Sequence, residues 1–118
     1  MKRIILLQLF VLISGYTGLA GAHAVITQSS IEIKPIAPNQ STQVSIRFNS
    51  HIELALSQVF LVRAGDKQEL LQTTVGSKPG QILINIPALP TGEYALRFKV
   101  FAADGHLTED IVHFFVTE

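Results

Sequence analysis

The stretch GEYALRFKVFAADGHLTEDIVHFFV, residues 92–116, carries an alternation that suits a strand and not a helix. Tyr94, Leu96, Phe98 and Val100 recur at every second position, with Arg97 and Lys99 between them. Successive side chains of a strand point to opposite faces, so the four apolar groups face inward and the two cations face water. Further on, Val112, Phe114 and Val116 point one way, and Ile111, His113 and Phe115 the other. The segment AADGHLTED (102–110) between these runs reads as their connection. Strands with one covered face belong to antiparallel sheets.

The same period runs back through the chain. Val44, Ile46 and Phe48 share a face opposite Gln43, Ser45 and Arg47, and Ile82, Ile84 and Ile86 alternate as cleanly. VFLV (59–62) is a short apolar run before a turn at Gly65-Asp66, and ELLQTTV (69–75) reads as the strand returning from it. Pro87 and Pro90 block a strand twice. A weaker alternation at Ile31 and Ile33 ends at Pro35 and Pro38, and SHIELALSQ (50–58) has room for a helical turn or two. Six or seven short strands with no βαβ rhythm predict an all-β chain, a small antiparallel β-sandwich.

The chain has 118 residues, nine basic and nine acidic side chains, no Cys and one Met. Lys2 and Arg3, the apolar run IILLQLFVLI and the small residues AGA before His23 form the pattern of a secretory signal. Cleavage after Ala22 is expected, giving a signal peptide at 1–22 and a single domain at 23–118. A neighbouring cut and a retained anchor are the alternatives; the uninterrupted run is about half of what a span of roughly 20 residues needs. Removing residues 1–22 takes Lys2 and Arg3 away and leaves seven basic against nine acidic side chains. Such a chain has no electrostatic case for nucleic acid. Without cysteine the core must hold without disulfides, and any metal ligands must be nitrogen and oxygen.

Four histidines follow the apolar run: His23, His51, His106 and His113. Gly105 lets the backbone turn so that Asp104 and His106 can present an oxygen and a nitrogen to one ion. Asp-Gly is equally an ordinary turn signal, with a solvated histidine beside it. Cleavage after Ala22 would make His23 the first residue. Its amine and ring, with reference pKa values of about 8 and about 6.5, are both available near neutral pH and can close one chelate ring. With Asp104 and His106 they would make a tetragonal N/O set of the kind Cu(II) prefers, whereas zinc favours a tetrahedron. Nothing in the residue order places His23 beside the 104–106 loop. His51 is a candidate to assist such a site and otherwise decorates a loop. His113 reads as a solvated strand residue, with a supporting role as the alternative.

These residues resemble the CopC family of periplasmic copper-binding proteins. The likeness is strongest over 92–116, where Gly-x-Tyr precedes two alternating positions, Asp-Gly-His and a closing Phe-x-Val. HAVITQS (23–29) is similar to the family's start, and VSIRFNS (44–50) with Ser57 and Val59 to its middle. The resemblance implies a Greek-key sandwich in which His23 (amine and ring), Asp104 and His106 hold one Cu(II) ion. It implies a periplasmic protein that sequesters, buffers or delivers copper, with an inner-membrane copper permease as partner. Departures are Ser50 where members often have Glu, Phe98 for Trp, and no Pro-Ala-x-Gly turn after the first strand. Thioether sulfur selects Cu(I), and Met1 is the only methionine, so no Met-based Cu(I) site is expected.

The chain is accordingly expected to be a monomeric carrier and not an enzyme. Two other readings compete with this one. A copper-dependent oxidative enzyme built on a histidine brace would need an open coordination position and a substrate face. A metal-free interaction module needs only the sandwich.

Overall fold

A computed structural model of the chain describes residues 24–118. Two four-stranded antiparallel sheets face each other, as the alternation predicts. The first has the order β1 (Ile26–Ser29), β2 (Thr42–Phe48), β6 (Gln81–Ile86), β5 (Thr73–Val75). The second runs β4 (Lys67–Leu70), β3 (Gln58–Arg63), β7 (Gly92–Phe101), β8 (Leu107–Val116). The chain crosses between sheets after β2, β4 and β6, which makes a Greek-key-like sandwich.

The alternating residues meet between the sheets. Val44, Ile46, Ile82, Ile84, Ile86, Val59, Leu61, Leu96, Phe98 and Val100 are all at most 2% exposed. Burying an aliphatic side chain of this size stabilises by about 1.5–3 kcal/mol, which is how a cysteine-free chain of this length closes a core. Phe48 from one sheet meets Phe98 from the other edge-to-face, with centroids 5.9 Å apart and planes at 77°. Tyr94 stacks on its cross-strand partner Phe114 at 5.8 Å, and its hydroxyl donates to the Pro90 carbonyl at 2.8 Å. That bond satisfies the one polar atom of a buried ring.

Three elements differ from the sequence reading. The stretch 69–75 is not one returning strand but two, in different sheets; together with β1 this makes eight strands among the described residues. The cause lies in the adjacent leucines: Leu70 is 59% exposed, whereas Leu71 is buried and donates its N–H to Val59 O at 2.9 Å. The chain drops into the core there and emerges on the opposite sheet, where Gln72 O accepts the Asn85 N–H at 3.1 Å. The weak alternation near Ile31 is a helical turn, α1 (Ser30–Ile33), closed by Lys34 N–H to Ser30 O at 2.8 Å. The Ser30 hydroxyl accepts the Ser45 N–H at 2.9 Å, so the turn docks on β2 in place of a strand. Finally, β8 begins at Leu107, which places Glu109 opposite Lys99 and puts Glu109 and Asp110 in a strand, not a loop.

The 50–58 stretch keeps a single 3₁₀ turn, Leu54–Leu56. At the open edge of β8 the Asp110 carboxylate accepts the Ile111 N–H at 2.8 Å. A charge held on an edge in this way discourages a further strand from adding.

Gly80 ties the loop before β6 to the end of β2. Its φ is +73°, its carbonyl accepts the Phe48 N–H at 2.8 Å, and a Cβ there would collide with the carbonyl oxygens of Phe48 and Ser50. Gly80→Ala is therefore expected to cost more than about 1 kcal/mol, because strain and backbone overlap act together. Gly65→Ala meets no atom within 4 Å and carries the strain alone. Chemical unfolding of the two variants should rank Gly80→Ala as the more damaging, and the reverse order would contradict the packing described.

Candidate metal centre

The D-G-H segment is the tip of the β7–β8 hairpin. β7 ends at Phe101, and Ala102 forms a bridge with Ile52 from the segment that follows β2. Beyond it the chain reverses: Gly105 N–H donates to Ala102 O at 2.9 Å, and Ala102 N–H to His106 O at 3.0 Å. Gly105 takes φ +87°, in the left-handed region that favours glycine, although a Cβ there would meet nothing within 4 Å. The need is conformational, not steric.

This turn brings Asp104 and His106 together. Asp104 Oδ1 accepts the His106 backbone N–H at 3.1 Å, and Oδ2 lies 3.1 Å from His106 Nδ1. Both side chains are open to solvent, at 41% and 61% exposure. The His106 backbone N–H, ahead of an opposing effect of desolvation and with further help from the His106 ring, holds the Asp104 carboxyl below its ordinary value. A lowered carboxyl contributes above the ordinary carboxylate pKa, and its contribution is lost as pH falls through the lowered value. The pair thus offers an ionised oxygen and an imidazole at one exposed point near neutral pH.

Other expected residues are placed as follows. His23 and the 1–22 segment lie outside the described residues. The residues just after it are described: Ala24 is buried, and Val25 is bonded both ways to Asn49. His51 is exposed, its Nε2 lies 3.9 Å from Glu53 Oε1, and its carbonyl accepts the Ala103 N–H at 3.0 Å. It therefore borders the D-G-H turn through its backbone. His113 pairs with Ala95, six residues along β8 from Leu107 and so about 20 Å from the hairpin tip. It faces solvent on the outer side of the sheet.

Among the described residues no group of three or more His, Cys, Asp or Glu side chains converges as a metal site. What they supply is one carboxylate and one imidazole in contact. The donor chemistry suits a borderline metal that takes nitrogen and oxygen, and one further donor residue would complete a set of that kind.

A model of the CopC domain matches residues 26–117. The chain belongs to the CopC family. Its fold is similar to the crystal structure of CopC from Methylosinus trichosporium OB3b, at 27% identity and TM-score 0.63, over 80% of this chain and 93% of that one. It is also similar to PcoC, a methionine-rich copper resistance protein from Escherichia coli. That likeness has 19% identity and TM-score 0.62, over 81% of this chain and all of PcoC. No curated protein sequence gives a significant match. Membership makes this a CopC-type periplasmic protein implicated in copper handling, and not an enzyme. The histidine-brace enzyme reading is set aside on that ground. One contrast with PcoC is plain: this CopC-family chain has a single methionine, at position 1.

The sequence reading missed Asn49 as a residue that joins two parts of this end of the sandwich. It stands there only within the VSIRFNS run (44–50). Its side chain reaches a residue 24 positions away, and no local pattern announces such a contact.

Proposed function

We propose that export removes residues 1–22 and that the resulting chain binds one Cu(II) ion through the His23 amine and ring, the Asp104 carboxylate and the His106 imidazole. The protein holds this copper in the periplasm and buffers it, sequesters it or hands it on. An inner-membrane copper permease is the partner that fits such a role. The metal is cargo, and its donors are all nitrogen and oxygen, in keeping with the oxidised ion.

One observation supports this reading above the rest. The segment 49–53 bonds on one side to Val25, two residues after His23, and on the other to Phe101, Ala102 and Ala103 at the root of the D-G-H turn. A chain beginning at His23 would start at the end of the sandwich that carries Asp104 and His106.

The test is N-terminal sequencing of the exported protein, followed by Cu(II) titration of two forms. A chain beginning at His23 should take up one equivalent. A chain beginning at Gly18, with its amine moved five residues away, should bind at least about 100-fold more weakly, since a chelating donor is lost. Equal affinity in the two forms would remove the His23 amine from the site.

A further inference from the structure

Just after His23 the chain is held at Val25 by Asn49, through one side-chain and one backbone hydrogen bond. β1 has four residues, pairs only with β2, and is irregular between Ile26 and Gln28. Short edge strands with a broken register fray readily. Val25 precedes this strand, yet both of its backbone polar groups are taken by Asn49. The Val25 N–H donates to Asn49 Oδ1 at 2.8 Å, and the Asn49 N–H donates to Val25 O at 2.9 Å. Ala24, one residue nearer the start, is 3% exposed.

Asn49 is itself fixed to the D-G-H turn. Two residues on, His51 O accepts the Ala103 N–H at 3.0 Å, and Ile52 bridges Ala102. Val25, Asn49, His51 and Ala103 therefore form one hydrogen-bonded path between the chain after His23 and the loop bearing Asp104 and His106. The Asn49 side chain is the only side-chain link on that path. The other links are backbone bonds that substitution leaves in place.

We infer that Asn49 is a positioning residue for copper, holding Val25 so that the His23 amine reaches the ion bound at Asp104 and His106. The inference rests on the copper reading above. Asn49 touches no metal. It acts by lowering the freedom that the first two residues lose when both donors of His23 engage one ion, and ordering of this kind is a cost that a preorganised site avoids. With alanine at 49 the Val25 N–H loses its side-chain acceptor, and the start of the chain keeps only the bond from the residue-49 N–H to Val25 O and the burial of Ala24.

The experiment is a two-by-two comparison: Asn49 or alanine, in chains beginning at His23 or at Gly18. Cu(II) affinity, the nitrogen hyperfine pattern of bound Cu(II), and hydrogen exchange of the Val25 amide in the metal-free protein are measured for each. Asn49→Ala should speed Val25 exchange. It should also weaken copper about tenfold in the chain beginning at His23, the order seen when residues supporting a ligand are removed. In the chain beginning at Gly18 it should weaken copper less, because the amine is already displaced and only the His23 ring remains to be positioned. Thr27→Val removes another bond from β1, the hydroxyl to Arg47 O at 3.1 Å, and should leave copper affinity unchanged in both chains.

Equal weakening by Asn49→Ala in both chains, or weakening by Thr27→Val as large, would show a general structural effect and overturn the inference. So would unchanged affinity of Asn49→Ala in the chain beginning at His23. If the unsubstituted chains beginning at His23 and at Gly18 bind copper alike, it is the copper reading that fails.

Discussion

His106→Ala should weaken Cu(II) binding by about 100-fold or more. Removing residues that merely support a ligand already costs 10–100-fold, and a ligand should cost at least the upper end. The loss should come with little change in folding, because the His106 side chain is 61% exposed and its backbone bond to Ala102 remains. Surface substitutions of this sort stay within about 0.5 kcal/mol. His113→Ala is the matched control, since His113 sits on the outer face of β8 away from the hairpin tip. Competition titrations against a chelator of known affinity should show a large loss for His106→Ala and none for His113→Ala. Equal losses would mean that copper sits elsewhere on the protein.

Phe98→Ala is expected to have the largest effect on the fold. The ring is fully buried and lies edge-to-face against Phe48 of the opposite sheet. Truncating a buried phenylalanine costs about 3–5 kcal/mol, a large part of the roughly 5–15 kcal/mol that stabilises a small domain. At about 4–8 °C per kcal/mol for a domain of this length, Tm should fall by roughly 12–40 °C. Phe115→Ala removes an equal ring from a position that is 61% exposed, so Tm should move by only a few degrees. Calorimetry of the metal-free forms makes the comparison without any contribution from bound copper. Similar losses in the two variants would refute the sheet-to-sheet packing around Phe98.

The strands with one covered face were legible from the residues. Tyr94 to Val100, Val44 to Phe48 and Ile82 to Ile86 alternate because each lies between water and a single core. Leu70 and Leu71 were not legible as a crossing point: two adjacent leucines fit a strand, a turn or a buried segment equally well. Their separation depends on which sheet the next strand joins. Likewise the Ile31 region satisfies a strand period yet forms a helical turn, because Ser30 finds Ser45 on a strand that is distant in sequence.

The candidate site divides along the same line. Asp104 and His106 could be paired from their order alone, since only Gly105 separates them and a glycine lets so short a segment fold on itself. Fold class, the absence of cysteine and the contact of Asp104 with His106 are local or compositional properties, and these are carried by the order of residues. The approach of Val25 to Asn49, and of His51 to Ala103, had to wait for the packed sheets. Contacts between distant segments depend on strand pairing and on the crossings between sheets. Those are settled by the energy of the whole core and not by any short run of residues.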